Sequence, residues 1–216
     1  MSRPFRGAGL LLGLAVLGGG CGGGGQSNST TSSQTTQFVI KHNAQFNNGL
    51  TVRWAALPIR VALNGLGTTD EVTAWSAATS NAVTFAFVDG SVRNGISMRA
   101  SSGTDVCGVT TVDFNADGTI NSAETLLAVA IYRSPQCVRT VTHETGHGIG
   151  FLNHTMDGGL MDANGGNGQF TTEVVETIQG LYALPPGTNV GLAERALVQH
   201  PTGRRTMTFI TYPKRP

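Results

Sequence analysis

The sequence predicts an α+β domain with a mixed, twisted sheet beside two or three helices, and three observations carry that expectation. Short runs of apolar and β-branched residues alternate between positions 59 and 132, the period of half-buried strands. Apolar residues at helical spacing occur over 69–79, 136–148 and 171–182. The resulting order is strand, helix, several strands, helix, glycine-rich loop, helix, without an internal repeat.

At 216 residues and 39% hydrophobic composition, the chain suffices for one ordinary globular domain. Only 12% of residues are charged, for a net charge of +1, with neither a basic stripe nor an acidic run. Nucleic acid is therefore not an expected partner, and a monomer is expected.

Residues 1–20 read as an export signal. Arg3 and Arg6 precede the apolar run Leu10 to Leu17, which is too short to span a membrane, and glycines 18–20 follow. Cys21 directly after this run resembles the lipidation site of bacterial lipoproteins, so secretion and lipid anchoring both stand as destinations. The stretch 21–37 reads as a flexible Gly/Ser/Thr linker, with structure beginning near Phe38. Residues 38–187 form the domain, and 188–216 an extension of unassigned role. Arg204, Arg205, Lys214 and Arg215 make that extension mildly basic.

Within the domain, Trp54 to Leu63 is a strand closed by Asn64-Gly65. A helix starts at Thr69-Asp70-Glu71, with Thr68 or Thr69 as its cap, and places Val72, Trp75 and Thr79 on one face. Val83–Val88, Ile96–Ala100, Val109–Phe114 and Thr125–Tyr132 read as strands. A helix is expected from about Gln136 to Gly148. The next runs from Thr171 or Thr172 to about Tyr182 and is stopped by Pro185-Pro186-Gly187. Trp54, Trp75 and Phe87 read as core aromatics, and His42 and His200 as surface residues. Cys107 and Cys137 are an isolated pair, which in an oxidising compartment is expected to form a disulfide.

The chemistry concentrates in residues 143–154, His-Glu-Thr-Gly-His-Gly-Ile-Gly-Phe-Leu-Asn-His. Positions four apart lie on one helix face, so His143 and His147 can present imidazole nitrogens to a single ion. Gly150 allows a sharp turn that returns His154 to the same ion. Three neutral imidazoles suit zinc and leave one coordination site for water. Glu144, beside the first ligand, is placed to act as general base.

This stretch resembles the metzincin signature H-E-x-x-H-x-x-G-x-x-H, and specifically its bacterial matrixin-like branch. The likeness extends over most of 50–187, through Arg53-Trp54, Leu57-Pro58-Ile59, the Trp75 helix, Ile131-Tyr132 and Gln179-Gly180-Leu181-Tyr182. It implies a metzincin-like zincin domain with a zinc-binding helix and a C-terminal helix. It also implies a zinc metalloendopeptidase acting on polypeptide, with a methionine in a tight turn beneath the metal. Leu160-Met161-Asp162 is the expected turn, and Met156 is the competing methionine, closer to the ligand. The strict spacing would place the third ligand at Asn153; donor softness favours His154, one residue later, and leaves Asn153 to shape the loop. In that reading the Gly158–Gly168 stretch borders the substrate pocket.

Residues 113–124 match a calcium-loop pattern at Asp113, Asn115, Asp117, Gly118, Asn121 and Glu124. Their flanks look like strands, so a β-hairpin turning at Asp117-Gly118 explains the same residues and calcium is the secondary reading. Matrixin-like enzymes often carry a propeptide cysteine that caps the metal. The stretch before residue 50 is short and its Cys21 belongs to the export context, so any latency is expected from elsewhere. The rival to a peptidase is a non-catalytic surface lipoprotein that binds a partner, which would be expected to have lost the base or a ligand.

Overall fold

The computed structural model describes residues 33–191 and 203–214. The export signal, Cys21, His200 and Arg215 lie outside the described residues. A six-stranded sheet forms the frame: β1 (Ile59–Ala62), β2 (Phe85–Phe87), β3 (Ile96–Ser101), β4 (Gly108–Asn115), β5 (Ile120–Ala128) and β6 (Arg204–Thr211). Their spatial order is β2-β1-β3-β5-β4-β6, with β1, β2, β3 and β5 parallel and β4 antiparallel to both its neighbours. With α1 (Ser33–His42), α2 (Thr69–Ala78), α3 (Thr140–Gly148) and α4 (Thr172–Tyr182), the architecture is α+β with a mixed sheet. Among the described residues no helix is long and apolar enough to cross a membrane.

Helix α2 starts at a capping box. Glu71 N–H donates to the Thr68 hydroxyl while the Glu71 carboxylate accepts from Thr68 N–H, so Thr68 is the cap. Its Val72 and Trp75 are buried and Asp70 is solvated, the expected division of faces. Helix α3 is buried throughout, and two tryptophans secure it. Trp75 Nε1 donates to Thr142 O and Trp54 Nε1 donates to Gly148 O, both at 2.8 Å. Each bond satisfies an indole that burial would otherwise leave unpaired.

Several boundaries differ from the sequence reading. Residues 33–37 are already helical, ahead of the expected start at Phe38, because α1 packs along α4 and gains Lys41 Nζ and His42 Nε2 contacts to Glu173. A tether composition in 33–37 is overruled by these tertiary partners. His42 is not a surface residue: it is buried, stacked on Phe151 with ring centroids 4.5 Å apart. Phe87, read as core, is 37% exposed because β2 is the sheet's edge. Strand β5 ends at Ala128, and α3 starts at Thr140 rather than Gln136. The intervening chain turns, since Cys137 is tied to Cys107 by a disulfide and Gln136 O accepts from Lys214 N–H.

The extension 188–216, unassigned from the sequence, contains β6. It pairs with β4 over eight registered positions, Gly108↔Thr211 to Asn115↔Arg204. Arg204 therefore meets Asp113 rather than only solvent.

Candidate metal centre

Two glycines let α3 sit where it does. A Cβ at Gly146 would lie 2.6 Å from both Met161 Sδ and Trp75 Cζ2, and one at Gly148 would lie 3.0 Å from Ile96 Cδ1. Beyond the helix, Gly150 adopts φ +108° and turns the chain back, as expected for that residue. Asn43 supports the turn by donating to Gly150 O and Val52 O, both at 2.7 Å.

This turn brings His154 back to the helix pair. His143 Nε2 lies 3.2 Å from His147 Nε2, which lies 3.1 Å from His154 Nε2. The other ring nitrogens of the helix pair are engaged: His143 Nδ1–H donates to Leu160 O at 2.6 Å and His147 Nδ1–H to Phe151 O at 2.7 Å. A backbone carbonyl only accepts, so each neutral ring carries its proton on Nδ1 and points an unprotonated Nε2 inward. Lone pairs facing one another at this separation repel unless a cation lies between them. Nitrogens about 2.05 Å from a tetrahedral zinc would be about 3.3 Å apart, close to the spacing found. Among the described residues these three histidines form a group able to hold a metal ion.

Burial reinforces the neutral state. It pushes the His143 imidazole down to about 3, and lowers His147 and His154 as well. Glu144 is fully buried, and burial raises its carboxyl to about 7 against the opposing hydrogen bonds. Thr110 Oγ1 donates to its Oε2 and Thr211 Oγ1 to its Oε1, each at 2.6 Å. Thr125 Oγ1 lies 2.8 Å from Thr110 Oγ1 and is placed to donate to it, since the single Thr110 proton is directed at the carboxylate.

The remaining site residues separate clearly. Met161 is buried and its sulfur faces Gly146 beneath the histidine helix, while Met156 is 88% exposed. Asn153 accepts from His154 N–H and donates to Lys41 O, so it shapes the loop and His154 faces the cluster. Thr155 N–H donates to Met161 O, which closes the turn that also presents Leu160 O to His143.

Of Asp113, Asn115, Asp117, Asn121 and Glu124, the first two and Asn121 meet, with Asn121 Nδ2 3.5 Å from Asp113 Oδ1, whereas Asp117 and Glu124 have other partners. They lie on the β4–β5 hairpin, with Asp113 against Arg204, Glu124 against Arg99 and Asp117 accepting from Thr119 N–H. Asn121 donates to Asn115 Oδ1 at 2.8 Å. The expected β-hairpin is present here, and Arg204 and Arg99 pair with the carboxylates of Asp113 and Glu124.

Sequence reasoning missed Thr110, Thr211 and Phe209 as neighbours of the centre. Phe209 lies flat on His147, with ring centroids 4.3 Å apart and planes 9° from parallel. The alternation of Arg205, Met207, Phe209 and Thr211, the inward-facing members of β6, was the available signal. Comparison with protein-family models, curated proteins and solved structures gives no match for this chain.

Proposed function

We propose that the chain is an exported zinc endopeptidase of the metzincin type, hydrolysing extended polypeptide with Glu144 as general base. The observation that carries this reading is the convergence of the Nε2 atoms of His143, His147 and His154, with those of His143 and His147 left unprotonated by Nδ1–H bonds to carbonyls. Three neutral nitrogen donors leave one tetrahedral position open, the arrangement of catalytic rather than structural zinc sites. A zinc ion held there supplies Lewis acidity, polarising a peptide carbonyl and acidifying water.

The chain's own groups supply the proton transfers. Glu144 takes the proton released as the water oxygen bonds to the carbonyl carbon, and passes it to the amide nitrogen as the C–N bond breaks. In the metal-free protein burial holds that carboxyl at about 7, above the ordinary carboxylate range. Thr110 orients that carboxylate from the sheet. No covalent intermediate is involved, and both Cys107 and Cys137 are spent in their disulfide.

The rival reading, a partner-binding surface lipoprotein, draws support from one feature: Glu144 is sealed from solvent. Retention of the base and all three histidines weighs against it, since the fold alone would not require them. The test is hydrolysis of an unfolded protein by wild type and Glu144→Ala, with zinc content measured on both. The expected result is a loss of about a hundredfold or more in rate with zinc retained. Equal rates would remove the mechanism.

A further inference from the structure

The sealing of Glu144 comes from the chain itself. Strand β6 is the outermost strand of the sheet and runs antiparallel along β4 for eight registered pairs. Strand addition at a sheet edge is a general way for a protein to hold an extended peptide, with backbone bonds giving affinity and alternate side chains entering the site. The inward side chains of β6 fall on the groups that the chemistry needs. Phe209 covers the His147 ring and meets His154 edge-on, with centroids 6.5 Å apart. Thr211 Oγ1 occupies the second carboxylate oxygen of Glu144.

The chain is gripped from the other side as well. Tyr212 N–H donates to Ala163 O at 3.1 Å and Lys214 N–H to Gln136 O at 2.8 Å. Residues 204–214 are thus an extended segment running from a sheet edge to the facing glycine-rich loop. The other face of β6 is solvated: Arg204, Thr206, Thr208 and Ile210 are exposed, and Phe209 alone of this strand belongs to the buried apolar core. Its release would uncover little of the core compared with β3 or β5, which lie inside the sheet.

We propose that residues 204–214 are a built-in pseudosubstrate strand, occupying the peptide-accepting edge of β4 and closing the histidine–glutamate centre until they detach. This rests on the peptidase reading above. A substrate segment would add to the same edge of β4 after β6 has left, so full-length protein turns over slowly. Release of the segment, by cleavage or by competition from another extended chain, would be the activating event.

The test keeps the full chain and locks the strand in place. Thr111 and Thr208 face each other with hydroxyl oxygens 3.1 Å apart on the exposed side, away from the histidine cluster. The double variant Thr111→Cys, Thr208→Cys is oxidised to a cross-link and assayed on an unfolded protein, before and after mild reduction. Wild type is carried through the same reductant to account for the native disulfide. Hydrolysis is expected to rise by roughly tenfold or more on reduction of the variant only. Measurable and equal rates for the cross-linked and reduced forms would overturn the proposal.

Hydrogen exchange on wild type supplies a readout that needs neither metal nor activity. The β6 amides are expected to exchange about tenfold or more faster than those in the centre of β3 and β5. Exchange of β6 only together with those strands would make it a permanent part of the sheet and also overturn the proposal. Early exchange of β6 with no hydrolysis from any form would sink the peptidase reading and leave the detachable strand supported.

Discussion

His147 donates its Nδ1–H to the carbonyl of Phe151, four residues on and 2.7 Å away, just after the turn at Gly150. One short bond thereby selects the ring's tautomer, aims Nε2 at His143 and His154, and ties the turn to the helix it leaves. A carbonyl partner of this kind is what orients a metal-binding imidazole and raises its basicity. The position of His154 follows from the same turn.

Replacing His154 with Ala is expected to weaken zinc binding by about a hundredfold or more while leaving the fold intact. The residue is only partly buried and touches the core only at the edge of Phe209, so thermal stability of the metal-free protein is expected to change little. Competition with a chelator of known affinity measures the effect. Unchanged affinity would exclude His154 and return Asn153 to consideration.

Gly146→Ala sets two effects against each other. Inside an ordinary helix the change would stabilise by about 1 kcal/mol. Here the added methyl would sit 2.6 Å from both Met161 Sδ and Trp75 Cζ2, in a fully packed site. Overpacking of this sort costs about 1–3 kcal/mol, leaving a net loss of up to about 2 kcal/mol and a fall of up to roughly 8 °C in melting temperature. Gly103→Ala, where the nearest atom is Ser101 Oγ at 3.5 Å, is the control expected to be near neutral. A rise in melting temperature for Gly146→Ala would show that Met161 yields easily.

The buried histidines make the metal-free protein acid-sensitive. Burial lowers the pKa of His42, His143, His147 and His154 below the unfolded value near 6.5. Below that pH the unfolded chain binds protons that the folded chain refuses, so these groups' contribution is present above 6.5 and is lost as pH falls. Glu144 has the opposite sign. Its carboxyl rises from 4.5 to about 7 on folding, so its contribution fades as pH rises through that range. Four groups outweigh one, and the melting temperature of metal-free protein is expected to drop steadily from pH 6.5 to 5. A flat profile across that window would contradict the burial of these rings.

Calcium at about 1 mM is expected to leave the melting temperature unchanged, because the oxygens of residues 113–124 are committed within the hairpin and to Arg99 and Arg204. A rise of several degrees would restore the loop as an ion site.

The residues of the histidine cluster were legible because their chemistry is local. His143 and His147 sit one helical turn apart with Glu144 beside the first, and Gly150 announces the bend, so spacing alone placed them together. The hairpin at Asp117-Gly118 and the cap at Thr68 were legible for the same reason: each is decided within four or five residues. What the sequence could not decide was set by partners far away in the chain. Residues 33–37 have a tether's composition and become helix because α4 lies alongside, and His42 is buried because Phe151 and Glu173 meet it there. Thr211 reaches Glu144 across a separation of 67 residues, through a strand whose pairing with β4 only the assembled sheet could specify. Local periodicity determines which face a segment offers; long-range burial and hydrogen bonding determine what that face meets.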